Sequence, residues 1–157
     1  MIARNLNSAN PAEAAIAAGR EAILMARKFL EQRASFTIET TLAGNGQLLL
    51  LREAKQAGYQ VEVLYIALDN AEMNLDRVQL RMSRGGHDVP DEDVRRRYKR
   101  SIANAPKALL AADVGIVFDN SGSEPAPMLR LKSGLIIWES QGPTPLWVAD
   151  LKRALIE

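Results

Sequence analysis

Arg77, Arg81 and Arg84 recur at intervals of four and three residues, and Arg96, Arg97 and Arg100 follow across the stretch Gly85-Gly86-His87-Asp88-Val89-Pro90. At helical spacing the first three share one stripe. In the second set Arg96 and Arg100 share a stripe, and Arg97, Ser101 and Asn104 share another. Val94, Tyr98 and Ile102 form an apolar face between them. Guanidinium groups suit phosphate, because each binds two oxygens at once and its charge does not titrate away. Two helices joined by a glycine turn can fold together as a lid with such groups pointing inward. Closure would desolvate them, and they would then stabilise charge on a phosphoryl group in transfer. A plainer reading competes. Asp88, Asp91, Glu92 and Asp93 sit in the same stretch and can make it a solvated, salt-bridged helix pair.

The elements around this stretch alternate between two periods. "NSANPAEAAIAAGREAILMARKFLEQR" reads as a helix, with Asn10 as cap, Pro11 at the first helical position and Glu13 near the positive end. "ASFTIETT" reads as a short strand with Phe36 and Ile38 on one face, and "GNG" as a break. "QLLLLREAKQAG" is a second helix stopped by Gly58. "YQVEVLYIAL" is a near-continuous apolar run, the pattern of a strand buried on both faces. Asp69 or Asn70 caps a third helix that ends at the Gly85-Gly86 turn. Pro90 and Asp91 open a fourth helix that Pro106 interrupts. "DVGIVFD" is a third strand, "MLRLKSGLIIWE" a hairpin turning at Ser133-Gly134, and Pro145 to Ile156 a closing helix. The class is therefore α/β with a mainly parallel sheet and a C-terminal β-hairpin.

In such sheets ligands bind beyond the carboxyl ends of the strands. The three strands end in Glu39-Thr40-Thr41, Asp69-Asn70 and Asp119-Asn120-Ser121-Gly122. If the strands are parallel, these clusters share one rim. Helix capping explains Asp69 and Asn70 equally well. A carboxylate at the mouth of an apolar strand is costly to bury without partners, so Glu39 is a candidate binding residue.

The 157 residues suit one domain, read as residues 1–157 with residues 70–109 as a helical subregion. Lys plus Arg is 20 against 19 Asp plus Glu, so a broadly basic nucleic-acid surface is not expected. The aromatic content of 5% argues the same way, although the Arg-rich helix after residue 90 keeps phosphate-backbone binding as a rival reading. There is no cysteine, which excludes disulfides and thiolate metal sites and fits a reducing, cytoplasmic setting. The single His87 cannot build a multi-histidine metal centre. No apolar run is long enough to span a membrane.

The segments "NPAEAAIAAGRE", "FTIETTLAG", "AKQAGYQVEVLYIAL", "RGGHDVPDEDVRRRYKRS" and "VFDNSG" occur in this order. Together they resemble the zeta-toxin-like family of P-loop kinases, in particular its branch of bacterial predicted ATPases. The resemblance covers nearly the whole chain. It implies a three-layer P-loop NTPase-like fold with a helical lid. It implies ATP and Mg²⁺ as cofactors, phosphoryl transfer to a hydroxyl of a small molecule such as a nucleotide sugar, and an antitoxin as partner. By the same resemblance, Glu39, Thr40 and Thr41 match the substrate-contacting strand end. Arg84 and Arg97 match the lid arginines that hold phosphates, with Arg77, Arg81 and Arg96 in reserve. Asp119, Asn120 and Ser121 match the loop near the adenine.

One departure is large. The family's G-x-x-x-x-G-K-[ST] loop, whose backbone amides and lysine cradle phosphates, is absent, and none of the 10 glycines is followed by lysine. The resemblance puts Met1 just after the family's catalytic aspartate, so the P-loop strand is expected to be missing. Three readings stay open: an N-terminally incomplete kinase, a decayed kinase that still binds a ligand or a partner protein, and an interaction domain on the same fold. Loss of a central strand would leave "SFTIETT" and "VEVLYIAL" to pair directly, or leave edges through which a homo-oligomer forms.

Overall fold

A computed structural model describes residues 11–86 and 89–156, with side chains from residue 17 onward. Asn10, Glu13, His87 and Asp88, singled out above, lie outside the described residues or side chains. The chain divides into two units, Met1–Thr40 and Thr41–Glu157, and each is described by itself.

The first unit holds one long helix, α1 (Pro11–Glu31), with Pro11 at its first position as expected. Its end is a double backbone closure. The Arg33 amide donates to Leu30 O at 3.1 Å and the Ala34 amide to Phe29 O at 3.0 Å. This closure needs a left-handed residue, and Arg33 supplies it with φ 54°. Phe29 then stacks on Phe36 with ring centroids 5.7 Å apart. The expected strand "ASFTIETT" is not one. Phe36 and Ile38 are half-buried while Ser35, Thr37 and Glu39 are exposed, so the alternation is real, but residues 34–41 make no ladder. Alternation fixes which side chains turn inward; a strand also needs a neighbour to accept its backbone bonds.

The second unit runs α2 (Asn45–Gln56), β1 (Glu62–Ala67), α3 (Ala71–Ser83), α4 (Asp91–Ala111), β2 (Val114–Asp119), β3 (Ala126–Lys132), β4 (Leu135–Glu139) and α5 (Leu146–Ile156). "GNG" is less of a break than its glycines suggest, since Gly44 is the N-cap and Asn45 and Gly46 already belong to α2. The sheet order is β1-β2-β3-β4. β1 and β2 are parallel, and β2–β3 and β3–β4 are antiparallel. The α/β class therefore holds, with the parallel part confined to β1–β2 and the hairpin supplying the rest. Ser133 and Gly134 form that hairpin's turn with φ 49° and 79°, the two left-handed positions that a tight hairpin demands.

One face of the sheet carries the core. Tyr65, Val117, Leu129 and Leu131 pack against Leu48 of α2, Ala105, Ala108 and Leu109 of α4, and Trp147, Val148 and Leu151 of α5. Gly115 lets α4 come close, because a Cβ there would meet Leu109 Cδ2 at 2.8 Å. Leu109 is fully buried, so Leu109→Ala should cost about 2–5 kcal/mol. Pro106 does not interrupt α4, which runs through it to Ala111. An interior proline costs roughly 3 kcal/mol, and burial of Ala105, Ala108 and Leu109 on either side offsets it. The expectation that β1 is buried on both faces also fails: Leu64 is 62% and Ile66 51% exposed. No described helix is long and apolar enough to cross a membrane.

Candidate functional site: the rim of the parallel strands and the arginine helices

Because β1 and β2 are parallel, residues 68–70 and 119–122 emerge at one rim. The Asn120 amide donates to Ala67 O at 2.8 Å, and the Asp69 amide to Ser121 Oγ at 2.7 Å. The Ser121 hydroxyl donates in turn to Asp119 Oδ1 at 2.7 Å. Trp147 Nε1 of α5 donates to the same oxygen at 3.0 Å. Asn70 is the helix cap, its Oδ1 accepting from the Met73 amide at 3.0 Å. Asp119 and Ser121 thus satisfy one another and the fold. The side chain of Asn120 has no partner among the described residues and remains available to a ligand.

The arginines divide into three kinds. Arg77 is structural, since its Nη2 donates to Asn120 O at 2.5 Å and ties α3 to the rim. Arg96 pairs with Asp93 at 2.7 Å, and Arg97 reaches the same carboxylate only at 4.0 Å. Arg81, Arg84 and Arg100 are exposed and meet no carboxylate among the described residues. The salt-bridge reading holds for Arg96, and among the described residues, which do not include Asp88, no carboxylate pairs with Arg81 or Arg84. The glycines between the helices have separate tasks. Gly85 takes φ 84°, and its amide and that of Gly86 donate to Met82 O and Arg81 O at 2.9 and 3.0 Å. A Cβ on Gly86 would sit 2.7 Å from Arg81 Cγ and 2.9 Å from Arg81 O. The turn is shaped by Arg81 itself.

Helix α4 is fixed against the sheet by contacts that the sequence pattern did not single out. Tyr98, expected on the apolar face with Val94 and Ile102, shares its hydroxyl proton between Leu68 O at 3.1 Å and Asp69 O at 2.9 Å. Burial, then the charges of Asp69 and Asp119, hold its phenol above the ordinary value, so it stays a donor. Ser101 Oγ lies 3.2 Å from Tyr65 OH, and the buried Asn104 amide donates to Leu42 O at 2.9 Å. Arg97 shares the face of Ser101 and Asn104, which is the face turned to the body, and is half-buried. Arg95 was passed over in the pattern, yet it grips Glu72 of α3 with two bonds of 2.9 Å. That bond holds the Glu72 carboxyl below its usual range. The signal for Tyr98 was present: a tyrosine in an apolar stripe needs a hydroxyl partner, and the nearest backbone ends are at the rim.

Glu39 and Thr40 close the first unit and Thr41 opens the second, all three exposed. Glu39 has no side-chain partner among the described residues. The strand that was to carry these residues into the sheet is absent from its ladder.

Comparison with known proteins gives this arrangement a family. The chain is 37% identical over 97 residues to an uncharacterised protein of Haemophilus influenzae, covering 62% of this chain and 69% of that protein. No solved structure matches. The family model for zeta toxin matches residues 3–124, which span α1, the rim, both arginine helices and the loop after β2. The chain belongs to the zeta toxin family.

Proposed function

We propose that this chain carries the lid and the nucleotide-side elements of an ATP-dependent small-molecule kinase. The reaction moves the γ-phosphoryl group of ATP to a substrate hydroxyl. A bond forms between the hydroxyl oxygen and phosphorus, the bond to the β–γ bridging oxygen breaks, and the hydroxyl proton is released. A nucleotide sugar is the substrate class we favour, by family likeness, and an antitoxin is the corresponding partner. The observation that carries the reading is the family match over residues that include Arg81 and Arg84, guanidinium groups with no carboxylate partner among the described residues. Guanidinium groups with no carboxylate partner among the described residues suit a transferring phosphate better than a solvated ion-pair network does. Arg84 and Arg97 are assigned to the phosphates, Glu39, Thr40 and Thr41 to the substrate, and Asn120 with its neighbours Asp119 and Ser121 to the nucleotide side.

The described residues hold no cluster of three carboxylate or histidine groups that would house a metal ion, and no step is derived through Mg²⁺. With no glycine followed by lysine, the 157 residues alone should bind Mg·ATP no better than about 1 mM, roughly 4 kcal/mol. They should turn over no substrate. Titration calorimetry with Mg·ATP and a kinase assay on a nucleotide sugar test this together. Micromolar binding or turnover by this chain would refute the inactive reading. The second reading, a non-catalytic binding domain on the same fold, rests on the same missing motif. It predicts a retained phosphorylated ligand with no turnover, even after a phosphate-binding loop is supplied.

A further inference from the structure

Arg77 joins two parts of the site that lie 43 residues apart in the chain. Its Nη2 donates to Asn120 O at 2.5 Å, and the Asn120 amide donates to Ala67 O at 2.8 Å. The backbone of Asn120 is thus held by α3 on one side and by the end of β1 on the other. Its neighbours are held too, Asp119 by Trp147 Nε1 and Ser121 by the Asp69 amide. Of the three side chains, that of Asn120 alone has no partner among the described residues. The two arginine helices are tied down very differently. α4 is anchored through Tyr98 to Leu68 O and Asp69 O, through Ser101 to Tyr65, and by Ala105, Ala108 and Leu109 in the core. α3 buries only Leu75 of its 13 residues. It meets α4 through the exposed Glu72–Arg95 pair, and exposed pairs hold weakly. Among the described residues, Arg77 supplies the one side-chain bond from α3 to the loop after β2. A helix is stiff, so this bond also sets where its arginine stripe lies. Arg81 and Arg84 follow Arg77 on one face, with Arg84 about 10.5 Å further along the axis.

We propose that Arg77 is a positioning residue: its bond to the Asn120 carbonyl makes the placement of Arg81 and Arg84 depend on the nucleotide-side loop, while α4 stays fixed. The inference rests on the assignment of Asn120 to the nucleotide side and gives that residue a second task. A nucleoside held by the Asn120 side chain settles the backbone that Arg77 grips, and α3 is steadied with it. The coupling is reciprocal, so a phosphate group held at Arg81 or Arg84 steadies the loop in turn. Arg77 itself holds no phosphate in this scheme, unlike the arginines that follow it on the stripe.

Amide exchange and NMR on the 157-residue chain test this, with adenosine as the probe. Amides of residues 78–83 in α3 should exchange through a local opening, faster than those of Ala108 and Leu109 in α4, which wait for global unfolding. Adenosine should shift the Asn120 side-chain amide and slow the α3 amides about fivefold. These measurements need no variant. Arg77 is exposed, so Arg77→Met disturbs no core contact. In that variant the α3 amides should exchange about tenfold faster, the factor for one hydrogen bond to a charged group. Adenosine should still shift Asn120 there and no longer slow α3. A bond that only supports the fold predicts instead that adenosine protects α3 equally with and without Arg77, and that pattern overturns the proposal. So does exchange of α3 and α4 amides together as one unit. A shift at Asn120 with no response from α3 in the unaltered chain also overturns it, and leaves the nucleotide-side assignment standing. Adenosine that does not shift Asn120 removes that assignment and this coupling with it.

Discussion

The backbone amide of Asp69 donates a 2.7 Å hydrogen bond to Ser121 Oγ, joining the carboxyl ends of two parallel strands. The same hydroxyl donates to Asp119 Oδ1, which also receives Trp147 Nε1. Tyr98 bonds the Asp69 carbonyl from the other side. One serine thus sits in a line of contacts running from α4 through β1 and β2 to α5. Ser121→Ala removes an acceptor and a donor at once. We expect a loss of about 1–2 kcal/mol in urea unfolding, the range for one or two such bonds. The Asp69 amide should exchange faster with solvent in the variant. Unchanged stability with unchanged exchange at Asp69 would refute this linkage.

This line of contacts also marks the boundary of what the sequence disclosed. Among the described residues, periodicity located the five helices and the strands β1 to β4, because burial on one face is written into the order of apolar residues. It misplaced "ASFTIETT", since alternation records inward-facing side chains and carries no information about a pairing partner. It let Pro106 interrupt a helix, since the burial of Ala108 and Leu109 that offsets the proline is a tertiary fact. Of the candidate site, the rim was legible from strand-end residues. The use of each polar group was not. Arg77 and Arg84 look alike in sequence, yet only Arg77 reaches the Asn120 carbonyl. Whether an arginine is spent on the fold depends on partners far along the chain.

Two titrating groups should shape stability at the extremes of pH. The Lys55 ammonium, first, and the Val61 amide hold the Asp113 carboxyl below its ordinary value, with burial opposing. A folded value below the unfolded one adds stability that is complete above the ordinary value of 3.8 and is lost as pH falls beneath it. Asp113→Asn should therefore be less stable near neutrality and show a flatter acid limb. Tyr65 behaves oppositely. Burial, opposed in part by the Ser101 hydrogen bond, pushes its phenol up to about 12. Its contribution is complete below the ordinary value of 10.0 and disappears as pH rises from there toward 12. Tyr65→Phe should flatten the alkaline limb. Unfolding curves collected across pH for both variants check the two signs independently.

The lid assignment separates arginines that otherwise look equivalent. In a form of the protein extended with a phosphate-binding loop, Arg84→Lys and Arg97→Lys should lower turnover, because lysine cannot reproduce the bidentate fork. Arg96→Lys should be nearly silent, since Arg96 is already engaged by Asp93 and that exposed pair contributes little. Steady-state kinetics on the three variants decide the matter. Equal turnover in all of them would reject a phosphate role for α3 and α4.

Glu39 offers the sharpest contrast between a binding role and a folding role. It is exposed, and no described side chain pairs with it. A carboxylate repels ATP, so its natural ligand is a hydroxyl or amide of the phosphate acceptor. Glu39→Gln keeps the shape and removes the charge. It should weaken substrate use by about 1–3 kcal/mol, the range for a hydrogen bond to a charged group. ATP affinity should change little. Stability should change little as well, because no hydrogen bond or ion pair of the described residues depends on this side chain. A folding role predicts the reverse pattern, with a lower melting temperature and unchanged substrate affinity. Measuring both quantities on the loop-extended form tells the two apart, and the reverse pattern would remove Glu39 from the site.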